Sequence, residues 1–179
     1  MAKQVTGVYG DALFELAVED DKVDTLYEEV NLMRTILSEN PDFVAMMTHP
    51  QIPQEEKLST VETIFKGRVS DEIIGLMRMI VEKGHFSDMD HVFTYFTDRV
   101  KEYKNIGVAY VSTPVALSDS EKEKVKKRLL ETTDYESFEM DYDVDESLIG
   151  GMVIRIGDRV VDSSIRTKLY NLKRELSRA

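Results

Sequence analysis

Histidines and aspartates in this chain could take part in metal chemistry, but neither kind of residue has a suitable partner nearby in the sequence. The histidines His49, His85 and His91 are spread over predicted loops and a helix start, and no second ligand follows at helical or strand spacing. Aspartates alternate along segment 141–145, but the loop glycine and the terminal glutamate of an EF-hand are missing. We therefore expect surface histidines and solvated carboxylates, with no metal site.

Covalent and phosphate chemistry are equally unsupported by the residue pattern. The chain contains no cysteine, which excludes a cysteine nucleophile and a thiolate metal site. Gly150 and Gly151 precede an apolar segment without the glycine, lysine and serine or threonine spacing of a phosphate-binding loop. Paired glycines there indicate positive φ or close backbone packing. We predict a protein with no catalytic residue and no cofactor, and keep a small enzyme with an unrecognised site as an alternative that an activity screen would test.

Composition narrows the class of protein further. The chain has 179 residues, a formal net charge of −11 and 42% hydrophobic residues, which is typical of a globular protein that does not bind nucleic acid. No apolar run approaches the roughly 18–20 residues that span a bilayer. Asp11 and Glu15 interrupt the apolar residues near Met1, so we expect no signal peptide. These features predict an intracellular protein without direct membrane insertion.

The first 105 residues have the periodicity of amphipathic helices. Apolar residues recur at steps of three and four, as in the stripe from Val23 to Leu37 and the stripe from Phe86 to Tyr103. Asn40 before Pro41, and Ser87 three residues before Asp90, resemble helix-start signals. The predicted helices cover about 4–19, 22–38, 41–48, 54–66, 71–83 and 87–105.

A change of periodicity after Asn105 predicts a second domain. A β-rich run near Val108 is followed by a capping box at Ser118, which opens a charged helix. Segment 138–144 alternates apolar and acidic residues with the period of a half-buried strand. The overall prediction is a mostly α chain with a small α/β part: a six-helix bundle over 1–105, then a small mixed-sheet α+β domain over 106–179.

The first and fifth predicted helices carry apolar residues on more than one side. Such helices either sit at the centre of their bundle or keep one apolar face for a partner, and two of them could form a groove that accepts an amphipathic helix. Both interpretations remain open from the residues alone. The candidate groove residues are Tyr9, Leu13, Leu16, Ile73, Ile74, Met77 and Ile80.

One segment, 147–166, resembles a known family pattern. It reads as strand, tight turn, strand and the start of a basic helix that is predicted to run to Arg178. The pattern resembles the C-terminal signature of the delta subunit of F-type ATP synthases, whose mitochondrial counterpart is the oligomycin-sensitivity-conferring protein. Segments 9–17 and 79–86 resemble the family's first helix and the end of its fifth. The signature residues are Gly150, Gly151, Arg155, Gly157, Asp158, Asp162 and Arg166.

The resemblance implies a non-catalytic stator subunit in the peripheral stalk, at the cytoplasmic face of a bacterial plasma membrane. It implies that the first and fifth helices bind the N-terminal segment of an alpha subunit, and that residues 106–179 contact the C-terminal region of the b subunits. An unrelated adaptor or regulatory domain that binds a helical peptide is the alternative of a different class. The family often has other residues where this chain has Val8, Gly10 and Ser163, and Gly10 is predicted to weaken the first helix by about 1 kcal/mol relative to alanine.

Overall fold

The computed structural model describes residues 2–177, and the side chains of residues 6–177. Met1, Ala179 and Arg178, the predicted end of the basic helix, lie outside this range. The chain divides into two compact units, residues 1–100 and residues 101–179. The sequence pattern places the domain boundary five residues later, at 105, near the end of the last helix of the first half.

The N-terminal unit is helical, and its helices lie within two residues of the predicted bounds. A short 3₁₀ turn over Phe86–Asp88 precedes the sixth helix. The apolar stripes of the helices face inward and form one core that includes Leu26, Met33, Phe93 and Phe96. The α-helices are α1 (Ala2–Glu19), α2 (Val23–Glu39), α3 (Pro41–Thr48), α4 (Gln54–Phe65), α5 (Asp71–Glu82) and α6 (Met89–Tyr103).

Two of the predicted helix-start signals act differently in the structure. Pro41 does occupy the first turn of α3, but the side-chain amide of Asn40 donates to the Ile36 carbonyl and so closes α2 instead. Ser87 belongs to the 3₁₀ turn, and α6 begins at Met89. Asn40 is both the C-cap residue of α2 and the N-cap residue of α3. Its side chain can therefore bond either an unpaired carbonyl at the end of α2 or an unpaired amide at the start of α3.

The C-terminal unit combines a four-stranded mixed sheet with two helices. The strand order is β2-β1-β3-β4, in which β1 pairs with β2 in parallel and with β3 in antiparallel orientation. Gly157, at φ 53°, and Asp158 form the predicted two-residue turn between β3 and β4. The elements are β1 (Ile106–Thr113), α7 (Asp119–Thr132), β2 (Ser137–Val144), β3 (Val153–Ile156), β4 (Arg159–Asp162) and α8 (Ile165–Leu176).

One face of this sheet carries the second apolar core. Ala109 and Phe138 are buried with Leu129 of α7, and Ile154 packs against them. The capping box that opens α7 is present: the backbone N–H of Ser118 donates to the Glu121 carboxylate at 2.9 Å. Hydrogen bonds from Ser118 lower the pKa of Glu121. The mostly helical fold with a small mixed sheet is therefore confirmed.

Candidate functional site

An apolar groove lies between α1 and α5 and opens to solvent. Its volume is about 250 Å³. Leu13 and Leu76 are buried beneath it, whereas Leu16 and Met79 keep 38% and 48% of their surface exposed. We call this feature the α1/α5 groove, and its lining consists of Ala12, Leu13, Leu16, Glu72, Gly75, Leu76 and Met79.

The seven residues proposed from sequence separate into two groups. Leu13 and Leu16 line the α1/α5 groove, and Tyr9 packs half-buried against the core. The four residues from α5 point inward instead, because that face of α5 packs in the centre of the unit. These buried residues are Ile73, Ile74, Met77 and Ile80.

Five lining residues are not singled out by the sequence pattern: Ala12, Glu72, Gly75, Leu76 and Met79. In the sequence Gly75 merely interrupts an apolar run, and Met79 is one of many methionines that could fill a core. A signal is available in the helical spacing, because Met79 lies four residues after Gly75 and three after Leu76, so the three residues form one strip.

Ion pairs hold the helices that flank the groove. The Lys22 ammonium bonds the Glu72 carboxylate at the first turn of α5. This hydrogen bond lowers the pKa of Glu72 and raises the pKa of Lys22. On the other side of α1, the Tyr95 hydroxyl donates to the Asp11 carboxylate at 3.0 Å, and Arg99 approaches the same carboxylate to 3.3 Å. α1 is thus fastened by polar contacts to both α6 and, through the following turn, to α5.

Glycine at position 10 is required by packing against another helix, which the sequence does not indicate. An added Cβ at Gly10 would stand far inside van der Waals contact of the Tyr95 ring, so the glycine allows this ring to lie against α1. Gly75, in contrast, has no atom within 4 Å of an added Cβ. Gly10 thus serves the packing of the chain itself, and Gly75 does not.

The signature segment, 147–166, builds the junction between the sheet and α8. An added Cβ at Gly150 would come within 2.5 Å of the Ile165 side chain, and one at Gly151 within 2.5 Å of the Ser163 carbonyl. Gly151 also has φ 76°. The backbone N–H of Ile165 donates to the Gly150 carbonyl at 2.9 Å, so both glycines permit close backbone approach.

Charged signature residues complete the same junction. Arg166 donates to the Ser147 hydroxyl at 2.5 Å and lies 3.8 Å from the Asp145 carboxylate. The Asp162 carboxylate accepts the Ser164 N–H at 2.8 Å. Hydrogen bonds from Ser164 and Thr167 lower the pKa of Asp162, and the hydrogen bond from Ser147 lowers the pKa of Asp145.

The N-cap of α8 lies two residues after the signature residue Asp162. Ser164 is the N-cap residue and accepts the N–H of Thr167, while Asp162 accepts the hydroxyl proton of Thr167. Ser163 instead donates to the Met152 carbonyl at 2.9 Å and ties the β4 end to the strand before it.

Arg155 and Asp158 lie apart from this junction. The Arg155 guanidinium stacks over the Tyr110 ring at 4.7 Å on the sheet face opposite α7. Asp158 and Gly157 border a separate cavity of about 500 Å³ together with Asn105 and Tyr135. Local packing thus accounts for most of the signature, and Gly150, Gly151, Asp162 and Arg166 all serve the attachment of α8.

The described sites consist of apolar helix surface and structural polar contacts. Among residues 2–177, no group of three or more histidine, aspartate and glutamate side chains is arranged to hold a metal ion. Within the same residues, no helix is both long and apolar enough to cross a bilayer.

Comparison with known proteins identifies the family. A family model described as ATP synthase delta (OSCP) subunit matches residues 5–176. ATP synthase subunit delta of Lachnoclostridium phytofermentans is 48% identical over 98% of this chain and 97% of that protein, and the Enterococcus hirae subunit is 30% identical over 95% and 94%. The chain belongs to the ATP synthase delta (OSCP) subunit family.

The fold agrees with this assignment. A chain of the cryo-EM structure of the Toxoplasma gondii mitochondrial ATP synthase hexamer superimposes with a TM-score of 0.74 at 19% identity, covering 96% of both chains. Members of the family are non-catalytic subunits of the peripheral stalk. The family resemblance of segment 147–166 is confirmed, and neither an enzyme nor an unrelated adaptor domain is favoured.

Proposed function

We propose that this chain is the clamp of a stator: it holds the catalytic head of ATP synthase to the outer stalk against rotor torque. In this proposal the N-terminal unit is a six-helix bundle that binds the head, and the C-terminal unit binds the C-terminal region of the b subunits. The complex lies at the cytoplasmic face of a bacterial plasma membrane, and the bacterial origin of the two similar delta subunits supports this location.

The exposed α1/α5 groove is the observation that carries the first attachment. Its open wall is apolar, and Leu16 and Met79 keep surface that no described residue of this chain covers. An amphipathic helix laid into such a groove buries its apolar face, and burying one leucine side chain contributes about 1.5–3 kcal/mol. The N-terminal segment of an alpha subunit is the proposed occupant.

Two linked attachments suit a protein that must resist sideways load. When one contact opens, the other keeps the partners together, and rebinding is then intramolecular. Linkage of this kind raises the overall affinity by roughly 10²- to 10⁴-fold over either contact alone. The division of the chain into two compact units supports a role in which each unit makes one contact.

A matched pair of variants tests the groove. Leu16→Asp places a charge on the groove wall, and Val18→Asp places the same charge on the same helix at a residue that does not line it; the two side chains are 38% and 39% exposed. Calorimetric titration with an alpha N-terminal peptide is expected to show at least about tenfold weaker binding for Leu16→Asp only.

Equal affinities for the two variants, at unchanged helicity, would refute the groove. The stator role itself is measured separately, by adding the purified chain to stripped membranes and following ATP-driven proton pumping. Failure of the wild-type chain to restore pumping would refute the proposed function.

A further inference from the structure

Helix α8 exposes nearly its entire surface. None of its twelve residues, all of them described, is buried. Four of its apolar side chains are between 41% and 71% exposed, although two of them are leucines near the middle of the helix. A large apolar side chain left open is unremarkable by itself, but a continuous exposed row on one helix indicates a contact surface. The row consists of Ile165, Leu169, Leu172 and Leu176.

Among the described residues, the hydrogen bonds and the ion pair that join α8 to the rest of its unit lie in its first turn. The contacts that fix it are those of the signature junction: Gly150 to Ile165, Ser147 and Asp145 to Arg166, and the Ser164 cap. A helix of about twelve residues is marginal in water without tertiary packing. α8 therefore has a fixed starting point and direction, but lacks the packing that normally stabilises a helix of this length.

The spacing of the row identifies what fits it. Steps of four, three and four residues are the a and d positions of a heptad. At about 100° per residue the four side chains fall within about 60° of arc, the narrow seam of a coiled coil rather than the broad face of a helix that lies in a membrane surface. We call this row the α8 seam.

The charges beside the seam select the partner. The flanking e and g positions carry three cations and one anion: Arg166, Lys168, Lys173 and Glu175. A second copy of this chain would bring cation against cation, so self-pairing is disfavoured. We propose that the α8 seam pairs with one helix of another chain, whose apolar residues follow three- and four-residue steps and whose flanks are rich in glutamate and aspartate.

This inference rests on the proposed function, because it gives the attachment of the C-terminal unit to the outer stalk a defined surface. We include Ile149 in the proposed contact surface, because it is exposed and directly precedes the glycine that accepts the first amide of α8. It is a β-branched residue at φ 66°, an unfavourable conformation for its type, and its side chain is exposed beside Gly150, the residue that receives α8. Nothing in the described core of the unit requires an isoleucine there.

The test uses the full chain and two synthetic helical peptides of about four heptads. Both peptides carry leucine at a and d; one has glutamate and the other has lysine at e and g. Leu172→Asp interrupts the seam, and Tyr170→Asp is the control, since Tyr170 is an exposed apolar residue of α8 outside the seam. Binding is measured by fluorescence anisotropy, and α8 helicity by circular dichroism.

We expect the glutamate peptide to bind the wild-type chain, to bind Leu172→Asp at least about tenfold more weakly, and to bind Tyr170→Asp within about twofold of wild type. Ile149→Gly removes an exposed side chain from a strained position, so it should leave folding intact and weaken binding. Higher salt should weaken the glutamate complex. The lysine peptide should bind at least about tenfold more weakly than the glutamate peptide.

Several results would overturn the inference. It fails if the glutamate peptide does not bind, if both peptides bind equally, or if Leu172→Asp and Tyr170→Asp have equal effects. It also fails if the chain alone forms dimers, or binds anionic vesicles, and Leu172→Asp abolishes that association.

The proposed function is tested apart from the seam with a peptide from the C-terminal region of the b subunits. If that peptide binds wild type and Leu172→Asp equally, the seam is refuted and the stalk attachment stands. If wild type does not bind it, the attachment fails, and the synthetic peptides still decide the seam.

Discussion

Alanine at Gly10 and at Gly75 should shift the stability of the N-terminal unit in opposite directions. Gly10 and Gly75 both lie inside helices, where alanine is favoured over glycine by about 0.8–1 kcal/mol. An added Cβ at Gly75 meets no atom within 4 Å, so Gly75→Ala should gain this full amount. An added Cβ at Gly10 meets the Tyr95 ring, and overpacking of this kind costs about 1–3 kcal/mol.

The net expectation is a gain of about 1 kcal/mol for Gly75→Ala and a loss of up to about 2 kcal/mol for Gly10→Ala. For a unit of about 100 residues, 1 kcal/mol moves the midpoint of thermal unfolding by about 4–8 °C. Circular dichroism at 222 nm reports mainly this helical unit, and urea titration gives the free energy of unfolding independently.

A variant without the Tyr95 ring tests whether this ring causes the difference between the two positions. In a Tyr95→Ala chain the ring is gone, and Gly10→Ala should then stabilise by about 1 kcal/mol, as alanine does at position 75. If Gly10→Ala stabilises the wild-type chain as much as Gly75→Ala does, the close approach of Tyr95 to α1 has no energetic consequence and the packing argument fails.

Two further predictions concern the junction that holds α8. Ser164→Ala removes the side-chain oxygen that accepts the Thr167 N–H, and should lower stability by about 0.5–2 kcal/mol, with a loss of far-UV helicity that Ser177→Ala, at the other end of α8, does not cause. Hydrogen bonds lower the folded-state pKa of Asp162 and Asp145, so their stabilisation is present above the unfolded-state pKa of about 3.9 and is lost as pH falls through the lower folded-state values. Asp162→Asn should therefore flatten the acid side of the stability–pH curve below about pH 4, and an unchanged curve would exclude the contribution of Asp162.

Local patterns are sufficient to predict most elements of the fold. The helical stripes place α2 and α6, the capping box at Ser118 places the start of α7, and the glycine at 157 places the β3–β4 turn. Each of these signals is contained in a few consecutive residues, so no knowledge of the packing is needed to interpret it.

The groove depends on information that is not local. α5 is apolar on two sides, and only its packing in the helical unit decides that Met77 is buried while Met79 is exposed. The role of Gly10 depends on Tyr95, which lies on another helix far along the chain. Asn40 serves the end of one helix rather than the start of the next, a choice that the dipeptide with Pro41 does not reveal.

The attachment of α8 has a mechanical consequence. Any pull on this helix must enter the sheet through a single turn, where the Ile165 amide meets the Gly150 carbonyl and Arg166 is bonded to Ser147. These few bonds act in parallel over one helical turn and would share the force before any strand is strained. The force at which α8 detaches from its unit is therefore set by this junction, and not by the size of the apolar core.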